Sequence, residues 1–264
     1  MSDNLPRPPL LPTVSRRHAL GLLAASAAAL PRAVGAAPPE TVAVDAIAFD
    51  GFPIFDPRSV IAVAKSLFAD RGEALAQAWS TKLFGYTWLH TAAGQYATFD
   101  TVADQSLRYA ADVMRLSLTD DARIRLVEAY AQLDIWPDVQ PALDRLRAAG
   151  IKLAFLSNLG EATLRANMDR AGIAPAFDHV LSTDRVRQFK PSPTAYAMAI
   201  DAFGLPKSRI GFAAFGGWDA VGAAWFGYRT AWVNRLGVPR ERIEPGPAIV
   251  GSDMNAVLAL AGLA

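Results

Sequence analysis

The sequence predicts an α/β fold: a doubly wound parallel sheet with a block of helices inserted after its first strand. Three observations carry this. From Trp136 onward, short apolar runs alternate with segments whose apolar residues recur at helical spacing. Before that, residues 58–133 keep a helical spacing without a β-branched run, over a length too great for one crossover connection. The apolar runs also end on polar residues: Asp50 after Ile47-Ala48-Phe49, and Ser157-Asn158 after Phe155-Leu156. Lys190-Pro191 and Trp218-Asp219 follow at the ends of later segments.

Residues 41–49 alternate apolar side chains densely and read as a buried first strand. Pro53 and Pro57 forbid regular structure in the turn that follows. In the helical block, Val60, Val63, Ala64 and Leu67 share a face. Val139, Leu143 and Leu146 mark the next helix, which Gly150 stops. Residues 152–156 form a strand, and Leu164, Met168 and Ala171 mark a helix closed by Gly172. A strand at 180–182 precedes a helix marked by Tyr196, Ile200 and Phe203, which opens at Pro193, a favoured first-turn residue. A strand at 210–214, a helix at 218–226 and a strand at 230–233 complete the alternation.

The first residues stand apart. Ser15-Arg16-Arg17-His18-Ala19-Leu20 precedes an apolar run over 21–30, and Val34-Gly35-Ala36 supplies the small residues of a cleavage site. Residues 1–36 therefore read as a twin-arginine signal peptide, which implies export to the periplasm. The apolar run is shorter than the ~20 residues a bilayer span needs. Nothing later resembles a span, so the mature protein is expected to be free of the membrane. The segment carries four arginines and one aspartate, so its removal takes the formal charge from +1 to about −2. No basic patch argues for nucleic acid or anionic lipid. The chain has no cysteine, which excludes thiol catalysis, zinc thiolate sites and iron–sulfur clusters. Hydrophobic residues make up 52%, enough for a core of ordinary size.

In an open α/β sheet, ligands sit outside the carboxyl ends of the strands. The four polar fragments are therefore expected to converge on one crevice. Each has two readings. Asp50 is a nucleophile or the cap of a turn. Ser157 and Asn158 bind a carboxylate and a leaving anion, or cap the helix that follows Gly160. Lys190, on a rigid Lys-Pro platform, keeps Asp50 ionised or is a solvated surface cation. Asp219 serves the site or stabilises a helix N-terminus. Four fragments in this order favour the catalytic set.

This arrangement, with Ala78-Trp79 and Tyr86-Thr87-Trp88-Leu89, resembles the haloacid dehalogenase superfamily over residues 45–234, and within it the type II 2-haloacid dehalogenases. The resemblance implies a Rossmannoid core from residues 37–57 and 134–264 and a helical cap from 58–133. It implies a hydrolase that cleaves carbon–halogen bonds in small 2-haloalkanoic acids through an aspartyl ester. Asp50 matches the nucleophile. Asp219 matches the acid that positions Lys190 and the hydrolytic water, and Ser157 binds the substrate carboxylate with backbone amides. Phe52, Asn158, Phe99, Tyr196 and Trp218 are expected to bind substrate with Ser157, with Phe99 at the halide pocket. Phosphatases of the superfamily carry a second aspartate where this chain has Phe52. Its loss fits departure of halide, a weak base that needs no proton. It also removes a magnesium ligand, so neither metal nor other cofactor is implied. The family often forms dimers, which makes a second copy an expected partner.

The chain also departs from the pattern. Phe52-Pro53-Ile54 replaces a Tyr-Gly-Thr run and leaves the segment one residue shorter before Asp56. Ser80 stands where the family has a cap arginine that grips the halogen or substrate, and Arg58 is the candidate to replace it. Ala214 and Gly216 replace a serine and an asparagine that orient water. These losses keep open an impaired pseudoenzyme or small-acid binding protein of the same fold. A phosphatase is the third reading, opposed by Phe52.

Overall fold

The first strand, β1 (Ala46–Phe49), is buried on both faces. The computed structural model describes residues 44–263, so the segment read as a signal peptide lies outside the described residues. The strand begins at Ala46, later than the expected 41. After it come β2 (Phe55–Asp56) and four helices: α1 (Arg58–Phe68), α2 (Gly72–Ala93), α3 (Phe99–Val113) and α4 (Asp120–Glu128). Thr98 caps α3 by accepting from Thr101 N, and Thr119 caps α4 by accepting from Ala122 N. The chain then returns through β3 (Asp134–Ile135), which pairs antiparallel with β2. At this neck Trp136 Nε1 donates to the carbonyls of Phe52 (3.0 Å) and Phe55 (3.2 Å).

The alternation follows as expected: α5 (Val139–Ala148), β4 (Lys152–Ser157), α6 (Glu161–Ala171), β5 (His179–Ser182), α7 (Pro193–Phe203), β6 (Ile210–Ala214), α8 (Gly217–Phe226) and β7 (Arg229–Val233). Gly172 and Gly204 close α6 and α7 in the left-handed conformation. Beyond the reach of the sequence pattern lie β8 (Ile249–Gly251) and α9 (Asn255–Leu260). The parallel sheet runs β5-β4-β1-β6-β7-β8. Its two faces divide the core by the period-two alternation of the strands. Ile47, Phe49, Leu153 and Phe155 pack on one side, toward α5 and α9. Ala46, Ala48, Leu156 and Phe212 pack on the other, toward α7 and α8.

The helical insertion folds over the carboxyl edge of the sheet. Its own core centres on Trp79, whose ring nitrogen donates to Ala103 O at 2.8 Å. Two contacts tie it down near Lys190. Thr91 Oγ1 accepts from Phe189 N at 3.1 Å, and Tyr96 donates its hydroxyl proton to Asp184. Among the described residues no helix is long and apolar enough to cross a membrane.

Candidate active site

Register sets the floor of the site. Phe49 pairs with Phe155 on β4 and with Ala213 on β6, so Asp50, Ser157 and the turn after Ala214 lie side by side at the carboxyl edge. Asp50 N donates to Ala213 O at 2.9 Å and extends the ladder one residue past the strand. Lys190 enters from the segment before α7 and is 1% exposed. Its Nζ donates to Asp50 Oδ1 at 2.9 Å and to Asp219 Oδ2 at 2.7 Å. Tyr196 donates to Asp219 Oδ1 at 2.6 Å, so both oxygens of that carboxylate are held. Asp219 lies in the first turn of α8, where the helix dipole also favours negative charge. Close approach of α8 to Tyr196 needs Gly222: a Cβ there would lie 2.6 Å from the Tyr196 hydroxyl.

The charges shift one another. Burial would push the Lys190 ammonium down, but Asp219 and then Asp50 outweigh it, and Lys190 rests above its ordinary value. Burial raises Asp219 to about 6, opposed by Lys190 and reinforced by Asp50. Burial, then Asp219, holds the Tyr196 hydroxyl well above the phenol range, so Tyr196 acts only as a donor.

Ser157 and Asn158 do not cap α6; its N-cap is Gly160, with no side-chain bond. The capping reading is thereby corrected: neither side chain bonds the first turn of α6. Ser157 Oγ accepts from Leu159 N at 3.2 Å. Asn158 Oδ1 accepts from Lys190 N at 2.9 Å, which commits its carbonyl side. Asn158 Nδ2 is buried with no hydrogen-bond partner. An unpaired buried donor costs about 1–3 kcal/mol, so one in a native site needs a reason.

Above this floor opens a cavity of about 370 Å³. Asp50, Ser157 and Asn158 line it, with Phe52, Phe99 and Trp218; Tyr196, expected among the substrate-binding residues, is fully buried against Asp219 and is not among the lining residues. Trp79, Phe84 and Tyr130 complete the aromatic walls. Trp218 is half-buried against Phe84 and Trp88 of α2, with ring centroids 5.3 and 5.5 Å away. Ser80 lines the mouth beside Gln77 and Thr81, all three exposed on α2.

A family model for haloacid dehalogenase-like hydrolases matches residues 26–227. The chain belongs to the haloacid dehalogenase-like hydrolases. Among curated relatives, haloacetate dehalogenase H-2 of Moraxella sp. (strain B) is 33% identical over 82% of this chain and 97% of its own. The (S)-2-haloacid dehalogenase of Pseudomonas sp. (strain YL) is 34% identical over 82% of this chain and 94% of its own. Among solved structures, L-2-haloacid dehalogenase RSc1362 superposes with a TM-score of 0.81 at 40% identity, covering 83% of this chain and 99% of that one. The L-2-haloacid dehalogenase from Xanthobacter autotrophicus with chloropropionic acid covalently bound gives 0.75 at 28% identity, covering 82% and 98%.

Two departures from the dehalogenase pattern have structural consequences. Arg58 does not reach the cavity. Its guanidinium pairs with Asp56 at 2.6 Å and lies over the Trp136 ring at 4.5 Å, exposed on the outside of the neck. The expectation that it replaces the cap arginine is thereby corrected: an acid two residues away captures it first. At Gly216 a Cβ would stand 2.7 Å from Trp218 Nε1, so the indole occupies the space of a side chain there. One supporting residue escaped the sequence reading. Arg235, buried against Trp136, donates to Pro53 O at 2.8 Å and to both oxygens of Asp138. It pins the loop that follows Asp50. Its only sequence signal is a charge just after a strand.

Proposed function

We propose that this protein is a hydrolytic (S)-2-haloacid dehalogenase in which Asp50 is the nucleophile. The observation that carries the reading is the buried Asp50–Lys190–Asp219 chain beneath an aromatic cavity. Lys190 holds one oxygen of Asp50, while the other has only a long contact, 3.4 Å from Phe52 N, and is free to attack. Asp50 displaces halide from the carbon bearing it, forms an ester and inverts that centre. Water then attacks the ester carbonyl, with Lys190 stabilising the oxyanion and Asp219 holding Lys190 charged and in place; the water's proton passes to the departing hydroxy-acid oxygen. Asp50 is released with one oxygen from water.

Neutral donors hold the substrate. Ser157 Oγ binds the carboxylate, and the departing halide lies against the Phe99 wall of the cavity that Asn158 also lines. Phe52 stands where a phosphatase needs its second acid, so the leaving group is one that departs unprotonated. The (S) preference follows the relatives' names. Export rests on Arg16 and Arg17, outside the described residues. Lysine at both positions should leave the precursor in the cytoplasm, and unchanged periplasmic yield would refute export by this route.

The deciding experiment is halide release from 2-bromopropanoate enantiomers, followed by a single turnover in heavy-oxygen water. Label should enter Asp50 before product. Label appearing directly in product on the first turnover would refute the ester. The absence of halide from every 2-haloacid, with retained binding, would favour the binding-protein reading that Ser80, Ala214 and Gly216 support.

A further inference from the structure

We infer that the preferred substrates of this site are 2-halocarboxylic acids with a bulky, apolar or aromatic substituent on the halogen-bearing carbon, rather than haloacetate-sized acids. The inference rests on the dehalogenase reading above and extends it to the identity of the substrate side chain. Three observations combine. The first is volume: the cavity holds about 370 Å³, whereas ~150 Å³ suffices for benzene in an apolar cavity. A haloacetate has fewer heavy atoms than benzene, so it would leave most of this space unfilled. The second is polarity. Asp50, Ser157 and Asn158 lie on the floor, Gln77, Ser80 and Thr81 at the mouth, and Trp79, Phe84, Phe99, Tyr130 and Trp218 wall the space between. Such a site orders a ligand with one polar head and one apolar body. The third is charge. Among the described residues that line the cavity none is cationic, because Ser80 stands at the mouth and Arg58 is held outside by Asp56. With no cation to grip a small anion, burial of apolar area must supply the affinity, at about 25 cal/mol per Å². A haloacetate has little such area to offer.

The exposed position of Ser80 gives the cavity its open mouth. A long substituent can lie along the aromatic walls and end between Ser80 and Leu236. An arginine at 80 would cross that exit.

The test is a ladder of bromide-releasing acids on the natural protein: bromoacetate, then the (S) enantiomers of 2-bromopropanoate, 2-bromohexanoate and 2-bromo-3-phenylpropanoate. Direct displacement is intrinsically slower at a substituted carbon, so any rise along the series reports binding. We expect kcat/KM for the phenyl acid to exceed that for bromoacetate by about tenfold or more, at least the scale of one methylene in an apolar pocket. Ser80→Arg should reverse the order, lowering the phenyl acid about tenfold while sparing or improving bromoacetate. A maximum at bromoacetate with no turnover of the phenyl acid would overturn the inference and leave the dehalogenase reading intact. Bromide from none of the four acids would overturn the dehalogenase reading itself. Equal effects of Ser80→Arg on the large and small acids would also count against the inference, since a residue at the exit must discriminate by length.

Discussion

The floor and the roof of the cavity are built on opposite principles. The floor is dense with charge: Lys190 is buried between two carboxylates, Tyr196 holds the other oxygen of Asp219, and Asn158 holds the Lys190 amide. The roof, from α2 and α3, offers rings and an exposed mouth with no cation among its described lining residues. The floor keeps Asp50, Ser157, Lys190 and Asp219 but has Ala214 and Gly216 where the pattern expects a serine and an asparagine, while the roof has Ser80 where the pattern expects an arginine. The contrast shows that bond-breaking chemistry and substrate grip are separable in this fold. The first depends on a few side chains at strand ends, the second on a helical insertion free to vary.

Substitutions can test that separation. Asp50→Asn should have the largest effect, a loss of halide release of about a thousandfold or more, because no other group can form the ester. The fold should survive, as judged by circular dichroism. Residual release within tenfold of the natural protein would move the nucleophile elsewhere. Lys190→Met should come next. It strands two buried carboxylates, and breaking such a pair costs about 3–5 kcal/mol. Urea unfolding should report a loss of that size together with lost turnover; unchanged stability would mean the floor is not the charged cluster described.

A pH profile sharpens the same contrast. Asp219 is raised to about 6, so turnover should fall as pH drops through that value and its carboxylate, which holds Lys190, takes up a proton. Tyr196→Phe removes a hydrogen bond that favours the carboxylate, so the acid limb should move to higher pH. A limb that stays in place would separate Tyr196 from Asp219. The smallest effect belongs to Arg58→Ala, outside the roof. An exposed ion pair is worth at most about 1 kcal/mol, and kcat/KM should not change. A tenfold drop would show that the arginine swings into the mouth.

Much of the floor was legible in the sequence because parallel strands deliver their last residues to one edge. Asp50, Ser157 and Asp219 needed only the alternation of strands and helices to be brought together. The roof was less legible. Helical spacing located α2 and α3, but the cavity depends on how far their faces stand from the floor, and no periodicity encodes that distance. Arg58 was misjudged because proximity in sequence to Asp50 suggested proximity in function, when Asp56 captures it locally. Arg235 was missed because its burial depends on Trp136 and Asp138, some hundred residues earlier in the chain. The pair β2–β3, two residues on each side, is too short for any pattern.

Gly216 has a consequence for the history open to this chain. The space beside it is filled by the Trp218 indole, which itself leans on Phe84 and Trp88. An asparagine reintroduced at 216 would meet that ring before it met water. Reversion at this position therefore depends on what happens first in α2, some 130 residues away. The path back to the family pattern is ordered: the roof must loosen the tryptophan before the floor can recover its amide.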